Sequence, residues 1–265
     1  MSQPTRRAVA IVPVRVGSQR LPRKALLRES GQPLFAHTFE QVARARSFAA
    51  SYVATDSDEV LSSAAALRIP TVETSPSCRT GSERCAEANA GFAVPFDEIV
   101  DVQGDWPEVD PRDLDALVEC LRTGDAPIAT LAVPLDLADP LDAARFVDPN
   151  VVKVVCDRRG HALYFSRASI PVRRDDTPVL RQRHIGVYAF TKAALAAIRE
   201  LPDSPLADAE SLEQLRWLEH GFSIAVLTAR NAPVGIETRA DYDAFLARRA
   251  VSATEARPSA EDVNR

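Results

Sequence analysis

Ala8, Val9, Ala10, Ile11 and Val12 form an unbroken apolar run, which reads as a buried strand. Pro13 is expected to end regular pairing, and the loop after it carries Arg15, Gly17, Ser18, Arg20 and Lys24. A strand feeding a cationic loop with a small residue at its bend is one way α/β proteins hold phosphate groups. Gly17 lets the backbone approach an anion, and the cations neutralise it. Neither GxxxxGK followed by Ser or Thr nor GxGxxG is present, so this is neither a P-loop ATPase loop nor a dinucleotide fingerprint. An ordinary exposed basic loop would show the same residues, and on this stretch alone both readings stand.

Beyond the loop the chain repeats a strand–helix rhythm. Leu34 to Phe48 places Phe35, Phe39, Val42 and Ala43 at helical spacing. Tyr52 to Ala54 is a short strand closed by Thr55 and Asp56, Ser57 is positioned to cap a helix through Leu67, and Ile69 to Glu73 is another short strand. This β-α-β-α-β order predicts a mainly parallel sheet with helices on both faces. A length of 265 residues suits one large α/β domain or one domain with a small lobe, and a hydrophobic share of 46% suits a real core.

Arg79 to Ala90 is the next helix, with Thr80, Gly81 and Ser82 at its start, where free backbone N–H groups can bind an acceptor. Arg84 lies in the first turn, against the dipole preference. A ligand or a salt bridge to a distant carboxylate would each explain it. Phe96 to Gln103 is a strand ending in QGDWP, which puts Asp105 at the carboxyl end of a sheet strand, where open α/β sheets keep ligands. An Asp beside a cationic phosphate loop is a natural Mg²⁺ ligand; the structural alternative is a turn or a helix cap. Asp110 is the better cap candidate.

Pro127 to Pro134 is a further strand, after which the pattern changes. Val151 to Cys156 and Ala162 to Phe165 read as a hairpin with Gly160 at positive φ. Ser166 to Asp176 is polar and cationic and is expected as a surface loop. His184 to Phe190 is a strand whose His184, Gly186 and Tyr188 share one face, suited to a sugar pocket or, more plainly, a hydrogen-bonded His on a half-exposed strand. Leu206 to His220 is expected as one helix closed by Gly221, burying Leu212, Leu215 and Leu218 and leaving Glu210, Glu213 and Gln214 on other faces. Ser223 to Thr228 is a late strand. Glu237 sits at a strand-to-helix junction, Thr238 caps a helix from about Ala240 to Arg249, and the apolar-poor stretch from Ser252 is expected to be disordered. The layout is thus a flexible 1–7, a single domain over 8–250 and a tail over 251–265.

Several classes are excluded. No apolar run approaches a membrane span, and the N-terminus lacks a signal-peptide core, so a cytoplasmic protein is expected. Cys78, Cys85, Cys120 and Cys156 form no CxxC pair and read as structural thiols. A net charge of -5 argues against nucleic acid as partner.

Taken in order, RVGSQRLPRK, the ATD at Ala54 to Asp56, TGSER, VQGDWP, ATLAVP, DPNVVKVV, ALYFSRASIP, RHIGVYAF and LEQLR make the chain resemble the 3-deoxy-manno-octulosonate cytidylyltransferases, also called CMP-Kdo synthetases, over roughly Ala8 to Ala250. The resemblance implies a nucleotide-diphospho-sugar transferase fold of the glycosyltransferase A-like type, a mixed but mainly parallel sheet flanked by helices with an inserted antiparallel hairpin lobe. It also implies Mg²⁺-dependent coupling of CTP with a 3-deoxy-2-ulosonic acid, release of pyrophosphate, and a homodimer formed through the hairpin. Residue by residue, it implies that Arg15, Ser18, Arg20 and Lys24 bind phosphates. Thr80, Gly81, Ser82, Arg84 and Gln103 match the nucleotide side, with Gln103 also within reach of the sugar. Asp105 and Glu237 match metal ligands. Arg167, His184, Tyr188, Glu213 and Gln214 match the sugar-acid side, with Arg167 a candidate for the substrate carboxylate. Lys24, Asp105 and Arg15 are the candidates for catalysis.

The chain departs from that family's pattern at Trp106, where a Glu is usual; at Glu237, in place of an Asp; at Arg23, in place of a Gly; at Ala207, often acidic; and in PVRRDD. These changes gather on the sugar and metal sides. Two alternatives therefore stand beside the main reading: the same chemistry on another sugar acid of a specialised-metabolite pathway, and a degenerate member that binds nucleotide without turnover.

Overall fold

The computed structural model describes residues 7–18, 20–175 and 178–255, with side chains as far as Val251. Among the described residues nine strands form one sheet: β1 (Ala8–Pro13), β2 (Phe48–Thr55), β3 (Thr71–Glu73), β4 (Glu98–Val102), β5 (Ile128–Pro134), β6 (Lys153–Cys156), β7 (Ala162–Ser166), β8 (Gln182–Thr191) and β9 (Ile224–Thr228). The helices are α1 (Leu34–Val42), α2 (Asp58–Ala66), α3 (Gly81–Gly91), α4 (Pro111–Thr123), α5 (Pro140–Val147), α6 (Lys192–Arg199), α7 (Pro205–Glu210), α8 (Glu213–Glu219) and α9 (Arg239–Glu255), and a 3₁₀ turn spans Lys24–Leu26.

Strand order is β3-β2-β1-β4-β8-β5-β9. β1 lies parallel between β2 and β4, β2 is parallel to β3, and β5 is parallel to β9. β8 runs antiparallel to both β4 and β5 and joins the two parallel halves. The apolar run at the start of the chain is explained by this position, since all six residues of β1 are buried. Ala8, Ala10 and Val12 enter one core with Phe35, Leu114 and Leu117, whereas Val9 and Ile11 enter a second with Cys85, Leu195 and Trp217. A strand flanked on both edges and covered on both faces leaves no site for a polar side chain. A third cluster, Leu21, Leu34, Ile236, Tyr242 and Phe245, fastens α9 to the loop after β1.

The hairpin forms as the sequence implies, with β6 antiparallel to β7 and Gly160 at φ 82°. Ser57, Thr80 and Asp110 each cap a helix by accepting a backbone N–H. Thr238 and Asp241 cap each other's backbone at the start of α9.

Some boundaries differ. Pro13 is the last residue of β1 rather than its terminator, pairing with Ala54. The periodic stretch from Leu34 stops at Val42, and Phe48 opens β2, because edge pairing with β1 draws that segment into the sheet. The expected single helix from Leu206 to His220 is two helices, broken at Ser211, which adopts left-handed φ 52°. The cause lies outside the helix: Glu210 accepts from Ser166 Oγ (2.6 Å) and from the Arg167 N–H (2.9 Å), which pins the break against β7. Ser166 and Arg167 are accordingly not loop surface, since Ser166 is buried as the last residue of β7. α9 continues to Glu255, beyond the expected Arg249 and into the predicted tail; the remainder, 256–265, and residues 1–6 lie outside the described residues. Arg7, in the expected flexible start, is anchored: its N–H donates to Asp97 Oδ2 and its guanidinium lies 4.6 Å from the Phe96 ring centroid.

Burial raises the Cys78 and Cys156 thiols to about 11, so both stay protonated at neutral pH and are poor nucleophiles, as structural thiols should be. Among the described residues no helix is long and apolar enough to cross a membrane.

Trp217 is wholly buried and meets Tyr188 and Phe190 edge-on at 5.0 and 5.3 Å. Trp217→Ala should destabilise the fold by about 3–5 kcal/mol, measured by urea denaturation; a loss below about 1 kcal/mol would show that the second core does not depend on it.

Candidate active site

Because β8 is antiparallel to its neighbours, its N-terminal half lies beside the carboxyl ends of β4 and β5. These ends open into a cleft of about 1150 Å³, continued over the β1 loop by a lobe of about 690 Å³. Arg15, Arg20 and Asp105 line both parts, and Ser18 and Lys24 line the lobe. Thr80, Gly81, Arg84, Gln103 and Glu237 line the main cleft. So do Arg167, His184, Tyr188, Glu213 and Gln214. Residues separated by more than two hundred positions therefore share one concavity. Ser82 is the exception: it is buried beneath the wall, its hydroxyl donating to Glu213 Oε2 at 2.8 Å.

In the lobe, Lys24 Nζ donates to Asp105 Oδ2 at 2.5 Å and to the Ile236 carbonyl at 2.8 Å. The Ile236 N–H in turn donates to the Asp105 carbonyl at 2.9 Å. These bonds tie the β1 loop, the end of β4 and the segment before α9 into one unit, with Asp105 and Glu237 on either side of Ile236. Arg20 pairs with Glu237 and also donates to Asn150 Oδ1. Burial pushes the Glu237 carboxyl up, and the charges of Arg20 and Lys24 pull it back. Two carboxylates supplying hard oxygen donors beside a cationic loop are chemically suited to Mg²⁺, which binds through few protein ligands when phosphates complete its shell. No group of three or more metal-binding side chains occurs among the described residues.

On the opposite wall, Thr80 caps α3 and accepts the Glu83 N–H at 3.2 Å. Gly81 lets the start of α3 approach Gln103 closely: a Cβ would fall 2.0 Å from Gln103 Nε2 and 2.9 Å from Asp101 Oδ2, so a side chain there would push the Gln103 amide from its place. Gln103 Nε2 donates to both oxygens of Asp101, at 2.8 and 3.0 Å. With the amide nitrogen turned to Asp101, the amide oxygen is left as the acceptor. Asp101 is completely buried, and burial together with the nearby Glu213 pushes its carboxyl well above the usual range. Burial raises the Glu213 carboxyl as well. Arg84 is a salt-bridged residue, with Nη2 at 3.0 Å from Asp56 and Nη1 bonded to Thr74 Oγ1; this joins the ends of β2 and β3 to the cleft wall.

On the β8 side, Thr130 donates its hydroxyl proton to the Val187 carbonyl at 2.7 Å. His184 Nε2 lies 3.0 Å from Thr130 Oγ1; with the Thr130 proton given to Val187, Nε2 is the donor of that contact and Nδ1 is left as an acceptor. Burial lowers the His184 imidazole to about 3, so the ring is neutral at physiological pH. His184 is both a hydrogen-bonded strand residue and a cleft residue. The Tyr188 hydroxyl is buried without a hydrogen-bond partner among the described residues. Arg167 donates from Nε to the Glu210 carbonyl (2.6 Å), from Nη1 to Pro149 and from Nη2 to Ser211, so much of its donor capacity holds the α7–α8 break in place.

Sequence reading missed Asp101 and Arg183. The signal for Asp101 was an acid between Val100 and Val102 in a wholly buried strand. Arg183 is buried, lines the cleft and donates to the Pro233 carbonyl at 2.9 Å; burial lowers it to about 10. Its position in RHIGVYAF, on the face opposite His184, gave no such signal. Lys153, the buried lysine of the hairpin, is structural: Nζ donates to the carbonyls of Asp148, Val151 and Arg167.

A cytidylyltransferase family model matches residues 9–224. The 3-deoxy-manno-octulosonate cytidylyltransferase of Chlorobium limicola is 42% identical over 238 residues, covering 89% of this chain and 94% of that protein. Its counterpart in an Anaeromyxobacter species is 43% identical over 239 residues, covering 90% and 95%. The chain belongs to the 3-deoxy-manno-octulosonate cytidylyltransferase family. The fold agrees: a solved CMP:2-keto-3-deoxy-manno-octonic acid synthetase complexed with CTP superposes with a TM-score of 0.85 at 33% identity, covering 93% of this cytidylyltransferase and 99% of that chain. The mixed, mainly parallel sheet with its antiparallel hairpin is the architecture that the resemblance implied.

The raised carboxyls of Asp101 and Glu213 fix a sign. An acid with a raised folded-state pKa stabilises the fold fully below its unfolded value, about 4, and loses that contribution as pH rises toward the folded value. Asp101→Asn, which keeps an acceptor for Gln103, should flatten the decline of stability between pH 5 and pH 8. Urea denaturation at both pH values checks this, and an unchanged slope would show that Asp101 is not held neutral.

Proposed function

We infer that this cytidylyltransferase transfers CMP from CTP to the anomeric hydroxyl of a 3-deoxy-2-ulosonic acid of the 3-deoxy-manno-octulosonate type, releasing pyrophosphate. The observation that carries the reading is the Lys24–Asp105–Ile236 junction, which holds a cation and two carboxylates at the mouth of a cleft roomy enough for a nucleotide and a sugar.

The chemistry follows from charge. Attack of the sugar hydroxyl on the α-phosphorus builds negative charge on phosphate oxygens and on the leaving pyrophosphate. Lys24, Arg15 and Arg20 face that charge from the β1 loop, with Ser18 bracing the turn by accepting the Leu21 N–H. Asp105 and Glu237 would hold Mg²⁺, which when bound neutralises phosphate charge. Thr80, Gly81, Arg84 and the acceptor oxygen of Gln103 form the nucleotide wall with Ser82 beneath it. His184, Tyr188, Glu213 and Gln214 form the sugar wall, where neutral His184 serves as a hydrogen-bonding group rather than a cation. Arg167 has N–H groups left to meet the sugar carboxylate. No covalent enzyme intermediate is required, so the chain needs to bind, align and neutralise.

The hairpin, with Leu163 on β7 63% exposed, and Val172 just beyond it at 79%, supports a homodimer formed on that side. The four free cysteines suit a reducing compartment and a cytoplasmic enzyme. Retention of Lys24, Asp105 and Arg84 in one cleft favours turnover over nucleotide binding alone.

With CTP, Mg²⁺ and 3-deoxy-manno-octulosonate, purified protein should release pyrophosphate, and a chelator should stop it. Asp105→Asn and Lys24→Met should each lower the rate by about 100-fold or more while leaving the fold intact. Full activity in Asp105→Asn would remove the metal role, and CTP binding without release across a panel of acidic sugars would favour a non-catalytic nucleotide binder.

A further inference from the structure

Trp106 follows Asp105 and lies half-buried in the main cleft. Its indole is seated by two glycines from different parts of the chain. A Cβ on Gly186, in β8, would lie 3.5 Å from Nε1 and 3.7 Å from Cζ2. A Cβ on Gly235, in the segment before Glu237, would lie 3.1 Å from Cζ2 and 3.3 Å from both Cε2 and Cη2, closer than side chains normally pack. Both glycines meet the same edge of the ring: a Cβ at Gly186 would make ordinary van der Waals contact with it, whereas one at Gly235 would press into it, so the slot is tightest on the Gly235 side. Gly186 also stands between His184 and Tyr188 on the β8 face turned to the cleft. The indole is therefore next to the sugar wall and one residue from a proposed metal ligand.

We propose that Trp106 is a specificity-determining residue: its indole forms the apolar wall against which the C–H face of the acidic sugar packs, with Gly186 and Gly235 as the slot that holds it. The proposal rests on the assignment of the β8 wall to the sugar. An indole at this point supplies a flat, polarisable surface and no carboxylate, so it favours a sugar that presents ring or deoxygenated carbons there and disfavours one that presents a hydroxyl needing an acceptor. It also fills space beside Asp105, which limits the bulk of any substituent on that side. Placed at the sugar end, it should act on sugar affinity and leave CTP affinity alone.

The test is a kinetic and spectroscopic comparison of wild type, Trp106→Ala and Trp106→Phe. Trp106→Ala should raise KM for 3-deoxy-manno-octulosonate about tenfold or more, with KM for CTP unchanged, and Trp106→Phe should recover most of the loss because it keeps an aromatic face. Titration of the wild type with the sugar acid should change its tryptophan fluorescence, and the same titration of Trp106→Phe, which keeps only the core residue Trp217, should not. An unchanged sugar KM in Trp106→Ala, or an equal rise in KM for CTP, would overturn the proposal. If wild type turns over no acidic sugar at all, it is the functional reading that fails. The wall then stands only if the sugar acid still changes wild-type fluorescence but not that of Trp106→Phe, and falls if both respond alike.

Discussion

The antiparallel pairing of β8 with both β4 and β5 is the constraint on which the rest depends. Parallel strands alone would bring only their carboxyl ends and the loops beyond to the cleft. One reversed strand between them brings its own N-terminal half to the same edge, so His184, Gly186 and Tyr188 face residues delivered by β1 and β4. The ladder holds this arrangement through hydrogen bonds on both edges. Its side chains also enter both cores, Ile185 and Val187 on one side and Tyr188 and Phe190 on the other. A strand anchored this way cannot slip by one residue without exchanging its two faces.

Around this strand the cleft is assembled by polar contacts that cross long sequence distances. Lys24 meets Asp105 and Ile236; Ser82 meets Glu213; Arg84 meets Asp56 and Thr74; Arg167 closes over the α7–α8 break. Each joins different elements, so the wall is tied together by contacts that need no ligand. Preorganised donors of this kind are what a phosphoryl-type transfer needs, because charge appears on the substrate rather than on the enzyme. The buried carboxyls of Asp101 and Glu213 oppose stability as pH rises, yet Asp101 turns the Gln103 amide so that its oxygen is the free acceptor. A local cost in folding thus accompanies a defined hydrogen-bonding edge in the cleft.

Much of this was legible in the chain, unevenly. The apolar run of β1, the caps Ser57, Thr80 and Asp110, the hairpin with Gly160, and the cationic loop all arise from local rules of burial, capping and turn geometry. The reading failed where partners from far away decide the outcome. Leu34 to Phe48 has helical spacing throughout, but Phe48 is claimed by the sheet. Leu206 to His220 is a good amphipathic helix by itself, and breaks because Ser166 and the Arg167 backbone capture Glu210. Asp101 and Arg183 looked like single polar residues in strands, and only their neighbours give them a place in the wall.

By itself the sequence determined the alternation of strands and helices, the two-sided burial of β1, and the set of chemical groups that could meet a nucleotide and an acidic sugar. Those features arise from periodicity, propensity and residue chemistry, which are properties of short stretches. Tertiary structure alone decided that Gly186 and Gly235 meet the same edge of Trp106, that His184 is buried and neutral, and that Gly81 lies close beside the Gln103 amide. Each depends on distances between segments far apart in the chain and on the exclusion of water between them, and no local pattern encodes either.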